Sequence, residues 1–272
     1  RQRQMCIRDR FQNRDPRMAQ TLMAPGYVDL NGIDEVIEDC KSYDMTGYRF
    51  IKFVSDDTHN GATTSTTDWP VFRYPEILLT YAEAKAELGT LTPEDIALTV
   101  DVVRDRVGMP ALDMTAANNN PDPLMASYYP NVNSGANKGV ILEIRRERTI
   151  ELAMEGFRYY DIMRWKEGKR FEKPFTGLYF PGTGSYDLNN DGVDDVCIWS
   201  GSKPATSAPA VYELNKEIFL SGGDSGYIII HTDYARSWNE ERDYLYPVPT
   251  DDRVLTQGAI TQNPGWNDGL NF

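Results

Sequence analysis

The sequence predicts a mainly α fold, built of helical hairpins with long loops and a few short β-strands or β-hairpins. Three observations carry this. Two amphipathic runs, 68–89 and 92–110, stand only three residues apart. A longer helical block follows at 140–169. From 171 to 242 the texture then turns to Gly, Ser, Asn and Asp with short β-like runs. Helical periodicity, strand alternation and turn residues thus fall in separate stretches of the chain.

In chain order, RQRQMCIRDR (1–10) is a basic segment unlike the rest and resembles adapter read-through more than protein, so it is set aside; 11–272 is read as one domain. Residues 11–67 are mixed and loop-rich. YRFIKFV (48–54) alternates as a strand does, and HNGATTSTTD (59–68) is small and polar, hence a surface loop. In the helix over 68–89, Pro75 suits the first turn, Glu76 complements the positive end and Gly89 suits the exit. Ile77, Tyr81, Ala84 and Leu88 form its expected apolar stripe, widened by Leu78 and Ala82. At 92–110 Thr92 caps, Asp95 closes the capping box and Pro93 starts the helix; Ile96, Val100, Val103 and Val107 form the stripe, and Gly108 and Pro110 stop it. So short a link makes the two helices an antiparallel hairpin.

A loop rich in Asn and Pro is expected over 113–139. In 140–169, Ile150, Ala153, Phe157 and Tyr160 line one face, and Gly156 predicts a break. Glu143, Glu147, Glu151 and Glu155 recur every four residues. Arg146, Arg148, Arg158 and Arg164 lie three residues from Glu143, Glu151, Glu155 and Asp161, so an ion-pair lattice that docks helices is expected, not an anion site. Residues 194–200 read as a strand and 217–234 as two strands about a Gly-rich turn. Pro247, Pro249 and Pro264 rule out a long helix in the tail, where Trp266 is expected to anchor.

Composition narrows function. The 272 residues carry 28 Lys+Arg against 41 Asp+Glu, a net charge of −13, which disfavours a bare nucleic-acid binder. No run approaches the ~18 apolar residues that span a bilayer. The three cysteines, Cys6, Cys40 and Cys197, and two histidines, His59 and His231, show no zinc or redox spacing, and no GxSxG supports a serine hydrolase.

The most specific motif is DLNNDGVDD (187–195). Asp187, Asn189 and Asp191 at alternate positions, then Gly192, match the start of a calcium loop, with a Val193 carbonyl and Asp195 completing the set. Position twelve is Ile198 where an EF-hand has Glu, so any ion would be structural Ca2+; the alternative is a solvated run of Asx turns. Saccharides need aromatic faces for C–H surfaces and polar groups for hydroxyls. The 16 Tyr and 5 Trp supply them. Loop positions are the candidates: Tyr27 with Asp29 and Asn31, Tyr43, Trp69, Tyr128, Tyr129, and further Tyr186 and Trp199.

Five blocks in order resemble the C-terminal part of SusD/RagB-like outer-membrane nutrient-uptake lipoproteins: NRDPRMAQT (13–21), WPVFRYPEILLTYAEAKAELG (69–89), EIRRERTIELAMEGFRYYDIMRW (143–165), LYPVPTDDRVLTQGAITQNPGW (245–266) and, more weakly, VDVVRDRVGMPAL (100–112). The resemblance implies tetratricopeptide-like helical hairpins, although no strict 34-residue repeat is visible. It implies a lipid-anchored, cell-surface protein of a Gram-negative outer membrane that binds oligosaccharide, sometimes peptide, without catalysis, and passes it to a SusC-like TonB-dependent transporter. The family's N-terminal half, with signal and lipidation cysteine, is expected to be missing here. Tyr27 lies where the family tends to place platform residues. A protein-binding helical scaffold and a calcium-dependent carbohydrate-active enzyme are the competing readings.

Overall fold

Local chemistry places the helix ends. A computed structural model describes residues 11–28, 30, 45–56, 58–59, 61, 63–133, 135–189 and 191–270. After the short α1 (Arg17–Thr21), α2 runs over Tyr74–Glu87 with Pro75 in its first turn. Gly89 takes φ 69°, which lets the Thr90 N–H reach back to the Lys85 carbonyl (2.9 Å). α3 (Pro93–Leu98) opens with the expected reciprocal box between Thr92 and Asp95. The second amphipathic run is two helices, not one: at Thr99 (φ −128°, ψ −84°) it breaks, and α4 (Val100–Asp105) continues. The buried Thr99 hydroxyl donates to the Asp95 carbonyl, which gives that acceptor a partner at the break. α2 packs on both α3 and α4, which is the predicted hairpin.

The stretch 113–139 is more ordered than its composition implies. It folds into α5 (Met114–Asn119) and α6 (Pro123–Tyr128), capped by Asp113 and Asp122 side chains. Both lie against α7 (Lys138–Glu151), the central helix, which also packs on α2. Then the chain breaks as expected. Met154 (φ 64°) and Gly156 (φ 85°) turn it into α8 (Phe157–Arg164). Lys52 Nζ caps the carbonyls of Glu151 (3.2 Å) and Ala153 (2.9 Å), and Arg73 also reaches Glu151 O (3.1 Å), so cations complete the negative end of α7.

Two expected faces are corrected. Ile77, Tyr81, Ala84 and Leu88 of α2 are exposed; the buried face is Leu78, Leu79, Ala82, Glu83 and Ala86. Ile150, Ala153 and Phe157 are only half-buried and Tyr160 is exposed. The core face of α7 is Val140, Ile141, Leu142 and Ile144, continued by Arg145, Glu147, Arg148 and Glu151. Periodicity assigns charges outward. Here Glu147, Arg148 and Glu151 are buried with close ion-pair partners that offset their desolvation, whereas Arg145 is held by longer pairs and the Trp165 and Tyr129 rings, and burial lowers its pKa.

A short 3-10 helix (Gly168–Glu172) leads to the β-rich part. β1 (Thr176–Phe180) pairs antiparallel with β5 (Gly226–Ile229); β2 (Gly184–Tyr186), β3 (Val196–Trp199) and β4 (Ala210–Glu213) form a second sheet, antiparallel then parallel. Residues 217–234 give one full strand, not two, since 218–220 form only isolated bridges. The expected strand 48–54 is likewise a correction: Phe50 bridges Leu22, and the chain turns away at Phe53 (φ 68°). Among the described residues the tail holds one helix, α9 (Thr250–Leu255), and Trp266, half-buried, bonds the Leu245 carbonyl (2.8 Å) through Nε1–H, which closes the tail on itself and does not tie it to the body. One core cluster fills the helical part and another the β-rich part.

Candidate functional site

A lattice of buried ions underlies the surface. Glu147 receives Arg17 and Arg104 Nε (2.8 Å); Glu151 receives Arg17 (3.1 Å), Arg73 (3.2 Å) and Arg106 (2.8 Å); Glu155 receives Arg73 Nε (2.7 Å) and Lys52. Of the four local pairs expected, Arg146–Glu143 and Arg164–Asp161 form. Arg148 instead crosses the break to Asp161 (2.8 Å), and Arg158 donates to the hydroxyls of Tyr129 and Thr149. Burial works to raise the Glu83 and Glu155 pKa values. Arg164 and Trp165 Nε1–H outweigh it at Glu83, and Arg73 with Lys52 at Glu155, holding both below the usual carboxylate range. At Glu167 burial wins and the pKa rises, although the Asn131 N–H and Arg145 pull the other way. The lattice is scaffolding: its acceptors are already occupied by this chain's own cations.

On this frame, Trp69 is the best presented of the candidate saccharide residues that fall among the described residues. It is 57% exposed and leans on Phe53, ring centroids 4.9 Å apart at 37°. Lys52 lies over the other ring (5.6 Å to the Phe53 centroid) while its ammonium binds Glu155. The left-handed Phe53 turn thus points one residue into the lattice and the next under the indole. Phe72 is also exposed close by in sequence.

The other candidates separate. Tyr27 is half-buried against the β-rich core. Asp29, Asn31 and Tyr43, like residues 1–10, lie outside the described residues. The Tyr128 ring is covered by Arg170 (4.6 Å) and Lys173 (5.2 Å). Tyr129 is a correction: it is 1% exposed, edge-on to Trp165 (5.4 Å) and flanked by Arg145 and Arg158, so it serves the helical core and offers no face to a sugar. Tyr186 is buried, its hydroxyl donating to Gly182 O (2.6 Å), and Trp199 is half-buried at the end of β3.

In the 187–195 loop, Asp187 accepts from the N–H groups of Asp191 (3.2 Å) and Gly192 (2.8 Å), and Asp191 from that of Val193 (2.8 Å). Asn189 accepts from the Asp191 N–H (2.9 Å), whereas Asp195 turns inward to Leu188 N–H (2.7 Å). Burial there raises the Asp195 pKa. Among the described residues, no group of three or more His, Cys, Asp or Glu side chains is placed to hold a metal ion.

Sequence reasoning overlooked an aromatic series. Tyr160, which helical periodicity turns inward, is exposed, and it joins Tyr159, Phe171, Trp238, Tyr244 and Tyr246. The repeated aromatics of RYYD (158–161) and YLY (244–246) were the available signal, but no spacing rule links 160 to 246.

The SusD family model matches residues 1–266, and the chain belongs to that family. Two solved structures from Bacteroides fragilis NCTC 9343 share the fold. One is a SusD-like protein at 24% identity and TM-score 0.57, covering 94% of this chain and 39% of its own. The other is a SusD-like carbohydrate-binding protein, also at 24% identity and TM-score 0.57, covering 90% of this chain and 41% of its own. The chain therefore spans about two-fifths of the length of these relatives. No curated protein matches it. Among the described residues no helix is long and apolar enough to cross a membrane.

Proposed function

We propose that this chain captures oligosaccharide at the surface of an outer membrane and passes it, unaltered, to a SusC-like TonB-dependent transporter. The observation that carries the reading is Trp69, an exposed indole backed by Phe53 and clamped through Lys52. A rigid flat face loses little entropy on stacking against a sugar. Family membership supports the reading, as does the carbohydrate-binding relative. Helices α2–α4 and α7–α8 are read as degenerate tetratricopeptide-like hairpins that supply rigidity, and the whole protein as lipid-anchored.

Trp69→Ala is expected to weaken retention in polysaccharide affinity electrophoresis about tenfold, since stacked rings contribute roughly 0.5–1.5 kcal/mol beyond area burial. Wild-type protein that no polysaccharide retains, yet that recovers a protein partner, would favour the scaffold reading; release of reducing sugar would favour the enzyme.

The 187–195 loop is proposed to bind Ca2+ for structural reasons, through Asp187, Asn189, Asp191, the Val193 carbonyl and Asp195. After chelation, adding Ca2+ should raise the melting temperature and release heat in calorimetry. No heat and an unchanged melting temperature would remove the ion from the account.

A further inference from the structure

The overlooked rings form one unbroken series. Centroids are 5.5 Å apart from Tyr160 to Tyr159, 5.8 Å from Tyr159 to Phe171, 5.2 Å from Phe171 to Trp238 and 5.0 Å from Trp238 to Tyr244; Tyr246 joins Tyr159 at 6.4 Å. Tyr159 and Tyr160 come from α8, Phe171 from the 3-10 helix, Trp238 from the segment after β5, and Tyr244 and Tyr246 from the tail. Tyr160 and Tyr246 are each 68% exposed, while the four between are half-buried. Half-buried tyrosines and tryptophans are ordinary one by one, but a contiguous group of six that reaches water at both Tyr160 and Tyr246 calls for a reason.

The rings are also fixed in place. A Cβ on Gly168 would stand 2.0 Å from the Trp238 indole, and the Gly168 N–H binds the Tyr244 hydroxyl (2.9 Å). Glu172 accepts the Trp238 backbone N–H (2.8 Å) and also lines a cleft of about 260 Å³, so it joins the two. Glu172, His231, Thr232, Tyr234 and Arg236 line that cleft. His231 adopts φ 56°, a conformation seldom taken by residues with side chains, and sets its ring edge-on to Tyr234 (6.3 Å, 74°).

We infer that this track, running from Tyr160 and Tyr246 past Trp238 into the 229–236 cleft, is a second saccharide-binding surface for neutral pyranosides, separate from Trp69. The inference rests on the glycan-capture reading. Ring faces suit the C–H surfaces of sugars, and the cleft offers a carboxylate, a hydroxyl, an imidazole and a phenol for their hydroxyl groups. The Tyr246 hydroxyl donates to that of Tyr159 (2.7 Å), which ties the tail ring to the ring on α8. Anionic sugars are disfavoured. Trp238 N–H and Lys169 hold the Glu172 carboxyl below its usual range, Arg236 is engaged by the Phe175 ring (4.2 Å) and the Lys173 carbonyl (3.1 Å), and the chain carries −13.

Affinity electrophoresis and calorimetry on the full chain would compare soluble starch, xyloglucan and polygalacturonate. Tyr160→Ala/Tyr246→Ala should weaken binding of a neutral polysaccharide at least fivefold with an unchanged melting temperature, and adding Trp69→Ala should abolish it. If that double variant melts lower, Tyr160→Glu alone, at an exposed side chain, gives the same reading. Wild-type affinity in these variants, with Trp69→Ala still weakened, overturns the track and leaves glycan capture standing. Tighter binding of polygalacturonate overturns the neutral-sugar assignment. Wild-type protein that binds none of the three overturns the capture reading, and the track with it.

Discussion

Replacing Arg148 with methionine is expected to lower the stability of the chain by about 3–5 kcal/mol, the usual cost of breaking a buried ion pair from one side. Arg148 is 5% exposed; its Nε sits 2.9 and 2.8 Å from the two Asp161 oxygens and its Nη1 3.1 Å from Thr80. Methionine fills much of the volume but leaves Asp161, 3% exposed, with Arg164, whose side chain is 44% exposed. The pair also bridges α7 and α8 across Gly156, where the helix cannot continue, so its loss loosens the angle between them. Urea unfolding measures this directly. Arg106→Ala is the control: that side chain is half in water, and Glu151 keeps Arg17 and Arg73, so a change below about 1 kcal/mol is expected. Arg148→Met/Asp161→Leu should recover most of the loss, because the uncompensated charge is then gone. Equal midpoints for Arg148→Met and wild type would show that the lattice does not hold the helices together.

What could be read from the sequence follows the range over which each cause acts. The Thr92–Asp95 box, the Gly89 exit and the break at Gly156 depend on residues within a few positions, and all were legible. The core faces depend on partners far along the chain. Glu83 is buried because Arg164 and the Trp165 indole N–H (2.5 Å), eighty residues on, meet it there. Lys52 departs from strand alternation because it caps α7 a hundred residues away. The same division runs through the site. Trp69 was legible as a loop indole, whereas Tyr129 failed because its loop dives beneath Trp165 and two arginines. The Tyr160–Trp238 series joins three segments, and only the folded chain assembles it.

Gly139→Ala tests a case in which local propensity and packing predict opposite signs. Alanine is ordinarily favoured over glycine in a helix, by up to about 1 kcal/mol in the interior and less in a first turn, where Gly139 stands in α7. Here a Cβ would stand 1.8 Å from the Ala117 carbonyl oxygen, 2.3 Å from its carbon and 2.7 Å from Asn118 N, all backbone of α5. No rotamer change can relieve backbone atoms, so α5 must move away, and with it goes the Asn118 Oδ1 bond to the Val140 N–H (2.8 Å). Overpacking of this kind costs roughly 1–3 kcal/mol, more where the neighbour cannot yield. A net loss of about 2 kcal/mol is therefore expected, a fall in melting temperature on the order of 5 °C for a chain of this size. Faster amide exchange should be confined to 114–119 and the start of α7, since the rest of α7 is held by α2 and the ion lattice. A variant as stable as wild type, or more so, would mean that helix propensity decides the sign and that α5 does not seat on Gly139.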